Sequence, residues 1–161
     1  MATLDELVAN RVLLRERIKL GRKEFDDRKL YVSPEFRLWL RGTVPHLEPF
    51  YETNIKPRMQ AYELIKSFII GRPFRGSRLF KRMSPRSDDI YELRTPDLRF
   101  FGWFPAVDVF LAVKGDDFET LKLDASLYEK HRLETRAFRN DLDLNDPKYN
   151  AGAGEHNVVS C

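Results

Sequence analysis

Cysteine is nearly missing from this 161-residue chain: the only one, Cys161, is the last residue. That excludes an intrachain disulfide framework and any cysteine-based zinc site, and a reducing, cytoplasmic setting is the expectation. Histidine is as sparse. His46, His131 and His156 stand far apart, without the H-E-x-x-H spacing that puts two imidazoles on one helix face, so neither a metal nor another cofactor is expected. Long apolar runs are also lacking. The longest, Phe100 to Val113, is broken by Pro105 and Asp108, too short and interrupted to cross a bilayer. The start, Met1-Ala-Thr-Leu-Asp-Glu, has no basic segment followed by an apolar one, so neither a secretory signal nor a membrane role is expected. Gly71 and Gly76 have the spacing of a phosphate-cradling G-x-x-x-x-G-K-[ST] loop. Ser77 and Arg78 occupy the Lys and Ser/Thr positions, however, and the loop follows a helical pattern where a strand is required.

What the chain does have is apolar mass and unevenly placed charge. Hydrophobic residues make up 42% and aromatics 12%, with twelve Phe, enough for one domain to bury a core that offsets its ordering entropy. The net charge is only +3, yet residues 1–115 hold 22 Lys/Arg against 15 Asp/Glu and residues 116–161 hold 6 against 10. Between Gly71 and Arg86 lie Arg72, Arg75, Arg78, Lys81, Arg82 and Arg86, with no acid among them. Such a run favours an anionic partner, nucleic acid first. A solvated loop with an exposed strand face fits the charge equally well.

Periodicity predicts an α+β chain. Leu4, Leu7, Val8, Leu14, Ile18 and Phe25 fall loosely on one side of a charged helix over 4–28, giving a helical arm over residues 1–30. Ser33-Pro34 starts a short helix that Gly42 ends. Ile55, Met59, Tyr62, Ile65 and Ile69 form the buried stripe of the next helix, closed by Gly71. The period then changes to two. A short edge strand over 79–83 and strands over 90–95, 98–104 and 107–113, joined by Pro/Asp turns, predict an antiparallel meander with helices on one face. Phe118, Leu121, Ala125 and Tyr128 begin a last helix, and 145–161 reads as an unstructured tail. Trp103 and the Phe cluster read as core.

The most informative stretch runs from Asp89 to Phe104. Arg94 ends one predicted strand and Arg99 begins the next, so a tight turn brings two guanidinium groups together. Like charges so placed need a carboxylate or phosphate between them. Either an oxyanion ligand fills that role, or Glu92 or Asp97 neutralises one or both.

Gly71-Arg-Pro-Phe, Leu79-Phe-Lys-Arg-Met, Ile90-Tyr-Glu-Leu-Arg and Leu98-Arg-Phe-Phe-Gly, after a helix and before a third strand ending near Lys114, resemble the RelE/HigB toxin superfamily, in particular its phage-derived HigB-like branch, over about residues 33–130. The resemblance implies N-terminal helices packed on a small antiparallel sheet, a domain over 31–144. It also implies a metal-free endoribonuclease that cuts mRNA, usually in the ribosomal A site, and is held inactive by a cognate antitoxin. Arg94 and Arg99 match the family positions that contact the scissile phosphate, and Lys114 falls near its basic segment. Tyr128 or His131 would supply proton transfer. Departures from the pattern are Ile90 and Glu92, where ribonuclease members often carry lysines, and Asp116-Asp117 directly after Lys114-Gly115. They leave open a non-catalytic, ParE-like interaction module or a phage-derived structural or regulatory protein.

Overall fold

Apolar alternation in the second half of the chain builds the centre of a six-stranded sheet. The computed structural model describes residues 1–51 and 53–160. Its strands are β1 (Leu14–Glu16), β2 (Lys29–Val32), β3 (Phe80–Arg82), β4 (Tyr91–Arg94), β5 (Leu98–Ala106) and β6 (Val109–Asp117), in the spatial order β1-β2-β6-β5-β4-β3. The helices are α1 (Leu4–Ala9), α2 (Pro34–Leu38), α3 (Pro57–Ile69), α4 (Phe118–Leu123) and α5 (Ser126–Asp141). The fold class is therefore α+β. The meander from β3 to β6 is antiparallel throughout, as turns this short require.

The sheet as a whole is mixed, which corrects the expectation of an antiparallel one. β2 runs parallel to β6, with Leu30 opposite Phe110 and Val32 opposite Ala112. The helices between them make the long crossover that parallel neighbours need. Nor is only one face covered. Leu30, Val32, Tyr91, Leu93, Phe100, Phe104 and Phe110 pack against Phe36 of α2 and Leu64, Ile65 and Phe68 of α3. The alternate residues Tyr31, Phe101, Trp103, Leu111 and Val113 pack against Leu7 of α1, Leu121 of α4 and Phe138 of α5. A sheet buried on both faces gives three layers.

The charged helical arm over residues 1–30 is not present. α1 is capped by Thr3 and Glu6, whose side chains each accept from the other's backbone N–H. It ends before Arg11, whose φ of 60° is left-handed. The chain then enters the sheet as β1, which explains the loose apolar spacing: Leu14 and Ile18 belong to an edge strand and the segment that leaves it. Of the tail over 145–161, expected without structure, residue 161 lies outside the described residues and the rest folds back: Val158 and Val159 are fully buried in the first core. α2 begins as expected, with Ser33 as N-cap accepting from Phe36 N and Pro34 in the first turn, and continues through a π-helical turn over Trp39–Thr43. Only part of the stripe assigned to α3 reaches the core: Ile65 and Ile69 are buried there as expected. Ile55, just ahead of the helix, and Met59 and Tyr62 on it are 57%, 46% and 42% exposed, while Gln60, Ala61, Leu64 and Phe68 are buried.

Two glycines are dictated by close approach. A Cβ on Gly102 would lie 1.9 Å from the Leu111 carbonyl oxygen, at a shift in the β5–β6 register. A Cβ on Gly115 would lie 2.1 Å from the Trp39 ring.

Candidate functional site

Arg94 and Arg99 are direct cross-strand partners on β4 and β5, so their side chains leave the same face of the sheet. The turn between them is fixed by one buried side chain, Gln60 of α3. Its Oε1 accepts from Thr95 Oγ1 at 2.7 Å and Asp97 N at 3.0 Å, and its Nε2 donates to Asp97 Oδ2 at 2.8 Å and the Ile55 carbonyl at 2.9 Å. The other oxygen of Asp97 accepts from Tyr51 N at 2.7 Å and Phe50 N at 3.3 Å. Asp97, a candidate neutraliser of the arginines, is thus consumed in holding backbone.

Glu92 takes that part alone. Its carboxylate is 3.7 Å from Arg94 Nη1. Burial raises its pKa, against the lowering pull of Arg99, Arg94 and Lys81. Arg94 also donates from Nε to the Arg78 carbonyl at 3.2 Å. Arg99 donates from Nη1 to the Thr95 and Leu98 carbonyls at 2.5 and 2.9 Å and lies 4.8 Å over the Phe118 ring. Its Nε is buried and, among the described residues, has no hydrogen-bond partner. Among the described residues Arg99 has no ion pair with a carboxylate: Asp116, its partner across β5–β6, faces His131.

The pair opens on a groove of about 640 Å³, whose lining also includes Arg78, Tyr51, Ile55, Met59, Gln60 and Phe118. Three arginines beside exposed aromatic and aliphatic surface suit an anion with a flat apolar part. The exposed face of α3 belongs here: Met59 and the preceding Ile55, whose periodicity suggests core, line the groove.

The other expected catalytic residues lie elsewhere. Lys114 spans the two helical layers, 2.7 Å from Glu35 of α2 and 3.0 Å from Glu134 of α5. Burial lowers its pKa, but hydrogen bonds to both carboxylates outweigh this and hold it above the usual lysine range. His131 Nε2 is 2.8 Å from Asp116 Oδ2, and its ring stacks 5.0 Å from Phe101. Lys114 and His131 line a separate cavity of about 280 Å³ with Trp39 and Gly115. Tyr128 packs edge-on to Phe101 at 6.1 Å and lines neither cavity. The acid after Lys114 is also occupied, Asp116 by His131 and Asp117 as N-cap of α4 through Thr120 N at 2.9 Å.

The basic run from 72 to 86 does not form one rim. Arg72 is 3.9 Å from Glu63, and Arg75 donates to the Val159 carbonyl at 3.2 Å, tying down the tail. Arg78 faces the groove, and Lys81 is exposed opposite Glu92 across the β3–β4 pair. Arg82 pairs with the buried Asp89, and Arg86 is 3.5 Å from Glu155.

Among the described residues, no three His, Cys, Asp or Glu side chains are gathered to hold a metal ion, and no helix is long and apolar enough to cross a membrane. Fold and site thus define an α+β protein with an arginine-lined, partly apolar groove at one end of its sheet. No family model matches the sequence, and neither a curated protein nor a solved structure matches it.

Proposed function

We propose that the groove binds RNA, with one phosphodiester between Arg94 and Arg99, and that the protein is a RelE/HigB-like, metal-free endoribonuclease of a toxin–antitoxin pair, acting on mRNA. The observation that carries this reading is the placement of the two arginines: directly opposite one another, on one face, lining a groove, with one buried carboxylate paired to Arg94. Two guanidinium forks match the oxygens of a phosphodiester and would hold the added charge of a phosphorane. The helices α2 and α3 ahead of the β3–β6 meander, Glu92-Leu93-Arg94 on β4 and Arg99 on β5 follow the order that the superfamily resemblance implies, while β1 and β2 ahead of those helices lie outside it.

Metal-free cleavage needs a base for the ribose 2′-OH. We assign that base to Glu92, the carboxylate paired with Arg94, whose burial raises its pKa above the ordinary glutamate value and so makes it the more basic. As Glu92 takes the 2′-hydroxyl proton, the 2′-oxygen attacks phosphorus and the P–O5′ bond breaks; the 5′-oxygen takes a proton from solvent, giving a 2′,3′-cyclic phosphate on one fragment and a 5′-hydroxyl on the other. Lys114, Tyr128 and His131 take no part in this scheme.

The test is induced expression with primer extension on total mRNA, alongside cleavage of ribosome-bound mRNA by purified protein in EDTA. Cleavage that survives chelation and is lost in Arg99→Ala and Glu92→Gln, each folded by circular dichroism, is the expected result. Normal growth and intact mRNA on induction would overturn the nuclease reading. RNA binding without cleavage would leave the interaction module that the sequence also allows.

A further inference from the structure

Resting on the RNA reading, we infer that the apolar half of the groove is a nucleobase subsite: Tyr51 and Phe118 receive the unstacked base of the nucleotide whose phosphate lies on Arg94 and Arg99. Single exposed apolar residues, such as Phe25, Leu38 and Leu123, carry no functional meaning, but several gathered in one patch mark an interaction surface. Phe50, Tyr51, Ile55 and Met59 are 45%, 43%, 57% and 46% exposed, and all but Phe50 line the groove that holds the arginines.

These aromatics are held in place. The backbone of residues 50 and 51 hangs on the Asp97 carboxylate, which Gln60 fixes from α3. Phe118 is set by its own N–H, which donates to the Asp97 carbonyl at 2.7 Å. One buried aspartate therefore anchors the backbone that carries both rings, which lowers the ordering cost when a base enters.

Geometry links the rings to the charge. The Arg99 guanidinium is 4.8 Å from the centre of the Phe118 ring, and Tyr51 meets Phe118 edge-on at 5.2 Å. Two steps thus lead from a phosphate-binding group to an exposed ring face, the reach of one nucleotide from its phosphate to its base. A base can use that face only if it is unstacked, so the groove selects single-stranded RNA over a duplex, whatever the base.

The experiment compares fluorescence anisotropy of full-length protein on three labelled RNAs: a single strand, the same strand with one central abasic ribose, and a blunt duplex. The single strand should bind about tenfold more tightly than the abasic strand, the worth of one base on an aromatic platform. Tyr51→Ala should remove that difference and Tyr51→Phe should restore it, with unchanged melting temperatures. Equal affinity for intact and abasic strands, or a Tyr51→Ala protein that still distinguishes them, would overturn the subsite. Arg99→Ala separates the two claims: it should weaken all three RNAs. If it weakens them while Tyr51→Ala does nothing, the base subsite alone fails, and if it changes nothing, the RNA reading fails with it.

Discussion

Two arginine clusters sit on this molecule, one closed and one open. In the closed cluster, Asp89 is buried in a left-handed conformation at φ 53°, pairs with Arg82 and accepts from Gly152 N at 3.0 Å. Arg132 of α5, itself buried, grips Asp88 and donates from Nε to Glu129 at 3.0 Å, and Arg136 reaches Asp88 at 3.3 Å. Arg139 lies 3.8 Å over the Tyr149 ring. Carboxylates and an aromatic face answer these cations, and the cluster ties α5, the β3–β4 loop and the folded-back tail together. In the open cluster, Glu92 is the one carboxylate ion-paired to Arg94, and Arg99 acts on it only through its charge; a buried Nε without a hydrogen-bond partner among the described residues occurs in both clusters, on Arg99 and on Arg82 and Arg139. Density of positive charge along the chain therefore says little about ligand binding. What distinguishes the two regions is how many cations the fold answers from within.

Breaking the closed cluster should cost the most. Asp89→Asn keeps the size of the side chain and its tolerance of the left-handed region but leaves Arg82 without its buried anion, a loss of about 3 kcal/mol. For a domain of this size that lowers Tm by about 6–12 °C, measured by calorimetry. A drop of only a degree or two would mean that the closed cluster is as dispensable as a surface ion pair. Gln60→Ala comes next. It strands the Thr95 hydroxyl and the Asp97 N–H, at about 1–3 kcal/mol, and loosens both the turn that aims Arg99 and the loop that carries Tyr51. Thermal melts should show the loss of stability, and RNA affinity should fall in parallel even though Gln60 carries no charge.

The open cluster should behave the other way. Arg94→Ala or Arg99→Ala should leave Tm within a degree or two. Each should weaken single-stranded RNA about tenfold at low salt and make log Kd less dependent on log salt by about 0.7 for each phosphate that is no longer neutralised. A titration series across salt concentrations measures both. A large fall in Tm with an unchanged salt slope would move this pair into the closed class.

The meander was legible because Thr95-Pro96-Asp97 and Pro105-Ala106 punctuate runs long enough to show alternation, and the nearness of Arg94 and Arg99 follows from that local turn. β1 and β2 were not legible, since strands of three and four residues carry almost no period and the partner of β2 lies some eighty residues away in sequence on β6. The fold of the tail was hidden for a similar reason: Val158 and Val159 are two apolar residues in a stretch rich in Gly and Asn, and only the finished core gives them a place. On α3, periodicity found an apolar stripe and assigned it to the core. The buried amide of Gln60 takes a core position, while Ile55 and Met59 serve the groove. No local signal links Phe50 and Tyr51 to Phe118, because their rings come together only once the chain has folded around Asp97, and the separation of Lys114 and His131 from the arginine pair depends on where α5 lies across the sheet.

The smallest effect tests the comparison most closely, because it asks what Glu92 is for. Burial raises its pKa despite Arg99, Arg94 and Lys81, so the folded chain holds a proton there more tightly than the unfolded chain does. As pH rises from the ordinary glutamate value to the raised folded one, the unfolded state gives up its proton first, and stability falls across that window. Below the window the group costs nothing, and above it the cost is constant. Glu92→Gln removes the term: its Tm should match that of the parent in acid and exceed it by about 2 °C at neutral pH, followed by melts from pH 4 to 8. That is the signature of a carboxylate kept ionised at some expense to the fold, as a site that must accept a proton requires. If Glu92→Gln instead lowers Tm at neutral pH, Glu92 is to Arg94 what Asp89 is to Arg82, and the cluster taken as open is another internal ion pair.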